Sequence, residues 1–390
     1  MLQHTLKFIQ VIAVLGTFSS IGYYLMCWWA ATNFLRERKA SIPGAPDGTP
    51  LPVSILKPLK GTDPEMYESL RSHCLQNYPE YEILFGVKGV DDPAAEVVAR
   101  LKAEFPQRPI RLVICPENLG ANTKVSNLAQ MLPGAQYELL LVNDSDIRVE
   151  TDYLRRIMAP LGDPKVGMVT CLYRGVPAGT LGSRLESMGI STDFSAGVLV
   201  ARQVEGGIRF GLGSTLAFRR HDLEAIGGFR AIVDYLADDY EVGRRMAARG
   251  LEVKLSETVV ETFLPPYSVR EFLLHQLRWA RAVRCSRPWG YLGLGLTFGL
   301  SWGLLTLFFA HAAMWAWTVL AATLTLRVIV AVEVGWMVIQ DRHALRFLWL
   351  LPLRDLVAML LWLASFTGHT VAWRGVAFRL KDGKLVRISP

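Results

Sequence analysis

The most constraining feature of this chain is a stretch near its N terminus, residues 8–35, that contains no charged side chain. A helix rises about 1.5 Å per residue, so this stretch can cross a bilayer core of about 30 Å. The basic residues Arg36, Arg38 and Lys39 follow it. A signal peptide is the alternative, but it would be shorter and would end in small residues. The pattern favours a membrane anchor, residues 1–35, whose C-terminal end lies in the cytoplasm.

Two further apolar blocks lie toward the C terminus. The first, residues 288–340, has room for two spanning helices with a turn near 311–314. It contains Arg327 and Glu333, which either face neighbouring helices or line a path for a polar lipid head; we expect the former. The second block, residues 341–373, is long enough to span the membrane or to form a re-entrant segment.

The basic tail, residues 374–390, creates a conflict in the membrane topology. It holds five basic residues and one acidic residue, Asp382, which favours the cytoplasmic side. Four complete crossings would instead place the tail outside. Either the block at 341–373 is re-entrant or interfacial, or the charge rule fails here, and the sequence leaves both possibilities open.

The composition agrees with an ordered membrane protein. Hydrophobic residues make up 51% of the 390 residues, and the mean hydropathy is +0.25, which excludes disordered and fibrous chains. The formal net charge of +7 suits a surface near anionic lipid as well as it suits a nucleic-acid binder, and with these membrane segments we expect no nucleic-acid partner. The five cysteines are scattered without a CxxC pair, which argues against a disulfide framework and favours a reducing compartment.

Residues 52–268 have the composition of a soluble domain, and a turn-rich linker, residues 36–51, precedes them. Apolar strand patterns alternate with helical patterns in the first half of this region. The predicted strands are 53–57, 82–87, 110–115 and 138–142, and the predicted helices are 64–77, 94–105 and 124–132. This alternation predicts an α/β fold with a mostly parallel sheet and helices on both faces. Such sheets bind ligands at the carboxyl ends of their strands.

Two carboxylates, Asp144 and Asp146, directly follow the predicted strand 138–142. Residues two apart beyond a strand point the same way, toward the ligand edge of the sheet. Hard oxygen ligands in that arrangement suit Mg²⁺ or Mn²⁺ that bridges a diphosphate. A solvated turn is the alternative, and the placement after a buried strand favours the metal site.

A second acidic pair, Asp238 and Asp239, opens a predicted helix that ends before Gly250. In the structural interpretation, Asp238 is the N-cap and Asp239 favours the helix dipole. In the functional interpretation, one of them is a general base that deprotonates an incoming hydroxyl. The spacing alone favours the structural interpretation.

An arginine-rich amphipathic segment, residues 269–287, precedes the second apolar block and predicts an interfacial helix. On it, Arg278 and Trp279 can meet a diphosphate and an acceptor at the membrane surface. Lys124 opens a helix after a glycine turn and can meet phosphate. Asp92 follows the strand 82–87, where a nucleoside contact is plausible, and the glycine turn 211–215 is a weak signal.

Five segments, in this order along the chain, carry a family resemblance. They are 124–128, 143–148, 169–175, 236–240 and 277–281. With these motifs the chain resembles the membrane glycosyltransferases of family 2 in their ceramide glucosyltransferase branch. It looks most similar to the bacterial hopanoid glycosyltransferases that act on bacteriohopanetetrol. The resemblance covers almost the whole chain.

The resemblance implies a GT-A fold on the cytoplasmic face of a membrane, the inner membrane in a bacterium. It implies an inverting transfer of glucose or N-acetylglucosamine from a UDP-sugar to a lipid hydroxyl, with hopanoid polyol, ceramide and diacylglycerol as open acceptors. Carried over by position, the roles are Asp92 for the nucleoside, Asp144 and Asp146 for the cation and donor, Asp239 as base, and Arg278 with Trp279 for diphosphate and acceptor. His275 stands where the family usually has Gln or Arg, which leaves its contribution to the acceptor site open.

Two other functions are compatible with parts of this pattern. A processive polysaccharide synthase of the same fold would need more C-terminal spans for its channel than the apolar blocks provide. A non-catalytic membrane-anchored binding module would lack the acidic sites, all of which are present. The sequence leaves the oligomeric state open.

Overall fold

The computed structural model describes residues 2–40, 50–373 and 376–388. Its contacts divide the chain into two units, each assembled from three segments. The helical unit contains residues 1–41, 177–203 and 266–372, and the sheet unit contains residues 42–176, 204–265 and 373–390. The segment 177–203 thus groups with the helices, whereas the sequence placed it inside one domain at 52–268.

The sheet unit contains all strands except most of β9. The strands are β1 (Val53–Pro58), β2 (Tyr81–Val87), β3 (Ile110–Ile114), β4 (Leu139–Val142), β5 (Ile147–Arg148), β6 (Val166–Val176), β7 (Leu216–Arg219), β8 (Glu252–Phe263), β9 (Thr370–Trp373), β10 (Val376–Lys381) and β11 (Lys384–Arg387).

Helices occur in both units. They are α1 (Leu2–Ala40), α2 (Met66–Cys74), α3 (Pro93–Glu104), α4 (Thr123–Met131), α5 (Tyr153–Met158), α6 (Leu181–Gly189), α7 (Ser195–Val204), α8 (Arg220–Ala225), α9 (Asp238–Ala248), α10 (Val269–Ser286), α11 (Pro288–Gly293), α12 (Gly299–Phe309), α13 (Met314–Val332), α14 (Arg342–Arg346) and α15 (Leu351–Ser365). Two π-helical segments, Ile190–Phe194 and Glu333–Val338, extend α6 and α13.

The main sheet has eight strands in the order β3-β2-β1-β4-β7-β6-β8-β5. The first four run parallel, with Ile55 opposite Ile83 on one side and Leu141 on the other. β7 runs antiparallel to its neighbours β4 and β6, and β6 pairs in parallel with β8. Every residue of β1, β2 and β4 is buried, as expected for apolar strands that are covered on both faces. The predicted α/β fold with a mostly parallel sheet is confirmed.

In the helical unit α1 packs against α12 and α13, and small polar residues of α1 bond to α12 and to the segment just before it. Thr17 and Thr306 hydroxyls lie 2.9 Å apart, and the Ser20 hydroxyl donates to the carbonyl of Leu296 at 2.8 Å. Small hydroxyl side chains allow close approach of membrane helices. By length and hydropathy, the helices His4–Ala40, Met314–Val338 and Leu348–Ser365 could cross a membrane. The helical pair Pro288–Thr297 and Gly299–Phe309, bent by 51°, is a further candidate.

The two charged residues of the second apolar block face neighbouring helices, as expected. Arg327 forms an ion pair with Asp355 of α15 at 2.8 Å, and it also contacts Asp193 of the π-helical segment after α6. Glu333 accepts a hydrogen bond from the Thr32 hydroxyl of α1 at 2.7 Å. The side chains of Arg327 and Glu333 therefore link neighbouring helices within the helical unit.

Three predicted boundaries differ from the structure. The helix of the anchor continues to Ala40, through the first part of the predicted linker 36–51, and residues 41–49 lie outside the described part. The block at 341–373 ends as a helix at Ser365, because residues 370–373 form β9. The segment called a basic tail contains a hairpin.

This C-terminal hairpin, residues 376–387, pairs β10 and β11 in antiparallel register across the turn Asp382–Gly383. Both turn residues have positive φ, 51° and 78°, which defines the two-residue turn that an Asp-Gly pair favours. Phe378, Leu380 and Leu385 are buried, whereas the basic side chains Arg379, Lys381, Lys384 and Arg387 are exposed.

Candidate active site

A partly buried lysine joins two acidic side chains at the carboxyl edge of the sheet. Lys124 lies in the first turn of α4, and its Nζ is 2.7 Å from Asp144 Oδ1 and 3.1 Å from Asp238 Oδ2. Burial opposes the charge of this ammonium, but Asp144, Asp238 and Asp239 outweigh that effect and raise the pKa of Lys124. The lysine therefore stays protonated and holds the two acidic loops together.

The helix α9 begins at Asp238, with Ala237 as the residue before it. Asp238 is therefore not the N-cap that the structural interpretation of the sequence assigned to it. The reason is that its carboxylate has other partners, because Oδ2 binds Lys124 and Oδ1 accepts a hydrogen bond from Asn122 Nδ2 at 3.4 Å. The helix ends before Gly250, whose φ of 83° terminates it as the sequence predicted.

Two main-chain donors hold the carboxylate of Asp239. Its Oδ1 accepts the N–H of Tyr240 at 2.8 Å, and its Oδ2 accepts the N–H of Gly213 at 2.8 Å. Burial, and then the neighbouring charge of Asp238, raise the pKa of Asp239 to about 6. A carboxylate with this pKa is ionised at neutral pH and accepts a proton more readily than an exposed one, which suits a general base.

Gly213 leaves a small cradle between the charged groups. A Cβ atom built on Gly213 would lie 3.1 Å from Asp144 Oδ2, 3.3 Å from Asp239 Oδ2 and 3.8 Å from Lys124 Nζ. The residues that the sequence singled out on three separate segments therefore converge around one glycine. Any side chain at this position would cover the carboxylate oxygens that face the cradle.

Asp146 lies against the neighbouring strand β8, where Thr262 donates a hydrogen bond to its Oδ2. Burial, and then the charge of Asp144, raise the pKa of Asp146 to about 6. Beneath this loop, the fully buried Lys57 donates from Nζ to the main-chain oxygen of Asp144 at 3.0 Å. Burial lowers the pKa of Lys57 to about 7 against the opposing effect of Asp146 and Asp144.

Asp144 and Asp146 fit a divalent cation by the chemistry of their oxygens. Among residues 2–40, 50–373 and 376–388, no three His, Cys, Asp or Glu side chains form a group that could hold a metal. Mg²⁺ usually binds through one or two carboxylates and completes its coordination with substrate phosphates and water, so two carboxylates suffice. The Asp144 side chain is 41% exposed, and its Oδ2 faces the Gly213 cradle. A divalent cation that is bound to a diphosphate can therefore reach the Asp144 carboxylate.

Asp92 has a local structural function at the same edge of the sheet. It caps α3, and its Oδ1 accepts the N–H groups of Ala94 at 3.0 Å and of Gly61 at 2.9 Å. These bonds hold the loop after β1 against the loop after β2. The nucleoside contact of Asp92 stays a prediction.

His275, Arg278 and Trp279 lie on α10 in the helical unit. α10 starts with a capping box between Ser268 and Glu271. His275 Nδ1 is 3.1 Å from a Glu186 carboxylate oxygen on α6. The His275 ring meets the ring of Trp279 at a centroid distance of 5.4 Å, in an edge-on arrangement. The roles of these residues with diphosphate and acceptor stay predictions.

Lys57 and Asn122 were not predicted from the sequence, and Gly213 was predicted only as part of a weak signal. A lysine inside an apolar strand was the available signal for Lys57, because a buried charge needs a partner. Asn122 precedes the helix α4, and its side chain caps that helix by accepting the N–H of Val125 at 3.2 Å. Gly213 carries no local signal, since its importance depends on residues that approach from other segments.

The sheet, with helices on its faces and candidate residues at the carboxyl edge, has a GT-A-like fold. A solved structure with this fold is the mannosyltransferase PcManGT from Pyrobaculum calidifontis in complex with GDP-Man and Mn²⁺. It matches with a TM-score of 0.53 over 91% of this chain and 99% of that chain, at 19% identity. At that identity the likeness concerns the fold alone.

The chain belongs to glycosyl transferase family 21, whose model matches residues 12–386. Ceramide glucosyltransferase 3 of Caenorhabditis elegans is 26% identical over 362 residues, which cover 89% of this chain and 75% of the relative. The ceramide glucosyltransferase of Komagataella phaffii is 32% identical over 128 residues, 32% of this chain and 24% of the relative. The resemblance to the ceramide glucosyltransferase branch is confirmed, and the protein is a membrane glycosyltransferase.

Proposed function

We propose that this enzyme transfers glucose or N-acetylglucosamine from a UDP-sugar to a hydroxyl group of a membrane lipid, with inversion at the anomeric carbon. One observation supports this most directly. The Asp239 carboxylate, with its pKa raised to about 6, lies across the Gly213 cradle from the pair of Lys124 and Asp144. A base and a charge-binding group thus meet at one point at the ligand edge of the sheet.

The residues account for each part of an inverting transfer. Asp239 takes the proton of the acceptor hydroxyl while the hydroxyl oxygen forms its bond to the anomeric carbon. The bond from that carbon to the diphosphate oxygen breaks on the opposite side, and UDP leaves with the electron pair. The protonated Lys124 lies where it can stabilise the negative charge that develops on the diphosphate.

The donor site uses the remaining residues of the same edge. Asp144 and Asp146 would hold Mg²⁺ or Mn²⁺, and the ion, when bound, supplies positive charge to the leaving diphosphate. Asp92 lies on a loop at the carboxyl edge, where it can contact the nucleoside. Arg278 is proposed to bind the diphosphate from α10.

The acceptor is proposed to be a lipid with a polyol or amino-alcohol head, such as a hopanoid polyol or a ceramide. The relatives that cover most of this chain are named ceramide glucosyltransferases, and this chain has candidate membrane spans at both ends. His275 and Trp279 lie on an arginine-rich amphipathic helix that precedes the apolar block. They are proposed to contact the acceptor at the membrane surface.

We also propose a topology with the sheet unit on the cytoplasmic side. Arg38, in the basic end of α1, donates to the carbonyls of Val338 and Met337 at 3.0 and 2.8 Å. The C-terminal ends of α1 and of the helix Met314–Val338 therefore lie on the same side of the membrane. Arg284, just before the bent pair, donates to the carbonyl of Gly368 at 2.7 Å. The helix Leu348–Ser365 starts after the C-terminal end of Met314–Val338 and ends next to Arg284, so in this topology both of its ends lie on the cytoplasmic side. The crossings are α1, the bent pair and α13, whereas α15 is re-entrant.

A transfer assay in membranes that contain the protein tests the proposed function. It offers radiolabelled UDP-glucose and UDP-N-acetylglucosamine separately, with Mg²⁺ or with EDTA, and follows the label into the organic phase. We expect cation-dependent label in a lipid from one donor. Label in a water-soluble polymer alone, or no label from either donor, would contradict the proposal.

A further inference from the structure

The C-terminal hairpin forms main-chain hydrogen bonds with the segment that leads into the acidic pair. The N–H of Leu385 donates to the carbonyl of Asp234 at 2.7 Å, and the N–H of Leu236 donates to the carbonyl of Gly383 at 3.1 Å. Between these two bonds, residues 235 and 384 form an antiparallel bridge. The segment 234–236 thus pairs with the free edge of β11 through a single antiparallel bridge and its two flanking hydrogen bonds.

The hairpin register directs these donors away from β10. In an antiparallel pair, opposite residues alternate between bonded and non-bonded positions. Ile388 donates to the carbonyl of Ala377 at 3.2 Å, so Leu380 and Leu385, three positions along, form a non-bonded pair. The N–H of Leu385 therefore points away from β10. Its hydrogen bond to the carbonyl of Asp234 is not one of the internal bonds of the hairpin.

The loop before α4 holds the same segment from another direction. Asn122 donates from its N–H to the carbonyl of Val233 at 2.7 Å and from Nδ2 to the carbonyl of Tyr235 at 2.8 Å. A Cβ atom on Gly120 would lie 2.4 Å from Val233 Cγ2 and 2.8 Å from Asp234 Oδ1, so the two loops are in close contact. The loop before α4 and β11 therefore both hold the segment by main-chain bonds.

We infer that the C-terminal hairpin is a positioning element for the acidic pair of the active site. Its bonds fix residues 234–236, which end two positions before Asp238. Asn122 connects the same segment to Asp238, and Asp238 binds Lys124. The hairpin thus acts through this segment on the alignment of Asp239 with the donor, and the inference rests on the proposed role of Asp239 as the base.

The test removes one hydrogen bond from the full-length chain. Leu385→Pro eliminates the N–H that donates to Asp234 and leaves the internal hydrogen-bonding pairs of the hairpin in place. Two matched variants control for other effects. Leu385→Ala keeps the N–H but removes the buried side chain, and Arg387→Pro places proline at the next outward-pointing position of β11, which forms no hydrogen bond with residues 234–236.

We expect kcat for sugar transfer to fall about 10- to 100-fold in Leu385→Pro, because small misplacements of a reacting group have effects of that size. The KM for the UDP-sugar should change by less than about threefold, since, apart from the pairing of β10 with β9, the direct main-chain hydrogen bonds that the hairpin forms outside itself go to residues 234–236 rather than to the donor loops. Leu385→Ala should lower the melting temperature while kcat stays within about twofold of the wild type. Arg387→Pro should retain kcat and KM.

A second readout makes the inference independent of the transfer reaction. Hydrogen exchange of a peptide that covers residues 234–241 should become faster in Leu385→Pro and remain unchanged in Arg387→Pro. Equal kcat in Leu385→Pro and wild type, or a loss of kcat that follows the melting temperature across all three variants, would overturn the inference. If the wild type transfers no sugar, the proposed function fails. Unchanged hydrogen exchange of residues 234–241 in Leu385→Pro would separately show that the hairpin does not hold this segment.

A milder variant is available if Leu385→Pro does not accumulate. Gly383 has a φ of 78° in the hairpin turn, so Gly383→Val strains the turn without removing a donor. The same fall in kcat with little change in KM is expected. Retention of full kcat with faster exchange of residues 234–241 would overturn the positioning role.

Discussion

At the residue scale, Lys124 and Asp239 set the electrostatics of the site. Lys124 is 14% exposed and lies between carboxylates of two loops, and Asp239 is held by two main-chain N–H groups. The ammonium favours ionised carboxylates, whereas burial opposes them. The pKa of Asp239 is raised to about 6 because burial and Asp238 outweigh the attraction to Lys124.

The raised pKa of Asp239 predicts an acidic limb in the pH dependence of turnover. A general base works only when deprotonated, so kcat should rise with pH up to about 6 and level off above it. A bound cation would move this limb to lower pH, never to higher pH, because positive charge favours the carboxylate. The measurement is kcat at saturating donor and acceptor from pH 5 to 8. A kcat that falls between pH 5 and 7 would contradict the assignment.

Gly213→Ala should impair the site by filling its cradle. The new methyl group would lie 3.1 Å from Asp144 Oδ2 and 3.3 Å from Asp239 Oδ2, which is closer than ordinary contact. We expect kcat/KM for the UDP-sugar to fall at least about tenfold, with an unchanged melting temperature. Gly162→Ala is the matched control, because nothing lies within 4 Å of its Cβ position. Equal kcat/KM in the two variants would argue against the cradle as the reaction site.

At the scale of single elements, local sequence patterns predicted the first half of the sheet unit well. The strands and helices from 53 to 142 form where predicted, with ends shifted by at most three residues. Apolar runs bounded by turn residues determine such elements locally. The bridge between residue 235 and β11 escaped prediction, because β11 lies far away in sequence and leaves no periodic signal near residue 235.

The site shows the same limit on prediction from sequence. Asp144, Asp239 and Lys124 were predicted as site residues because acidic pairs and a helix-opening lysine are visible as local motifs, and the structure brings these three side chains together. Lys57, Asn122 and Gly213 act only through residues from other segments, as in the bond from Gly213 to Asp239. A single sequence without spatial contacts does not contain that information.

The ion pair between α13 and α15 should show strong energetic coupling between its two side chains. Arg327 and Asp355 are both buried and lie 2.8 Å apart. A double-mutant cycle with Arg327→Gln and Asp355→Asn should give a coupling energy of about 1–3 kcal/mol in the free energy of unfolding. The exposed pair of Arg156 and Asp152 should give about 0.3–0.5 kcal/mol in the same cycle. Equal coupling in both pairs would contradict this account.

At the scale of the whole molecule, the C-terminal hairpin bears on the topology. Its bonds to residues 234–236 place the tail on the side of the sheet unit, in agreement with its basic residues. This favours the first of the two solutions that the sequence left open, in which the block at 341–373 does not cross. In the proposed topology, with the sheet unit on the cytoplasmic side, the charge rule would hold at both ends of the chain.

Cysteine accessibility in intact cells tests this topology. The exposed positions His311→Cys, Arg379→Cys and Lys102→Cys are labelled with a membrane-impermeant maleimide in three separate variants. We expect label at 311 in intact cells, and label at 379 and 102 only after permeabilisation. Position 102 in the sheet unit is the matched control for 379. Label at 379 but not at 102 in intact cells would show that the last block crosses the membrane.

The most direct test of the central claim is turnover by Asp239→Asn. Asparagine keeps the size of the side chain and removes the proton acceptor. We expect kcat for sugar transfer to fall by about 10²- to 10⁴-fold, while the Kd for UDP stays within about twofold of the wild type. Asp152→Asn, at a surface carboxylate of the same unit, should retain both values. Wild-type turnover in Asp239→Asn would show that this carboxylate is not the base.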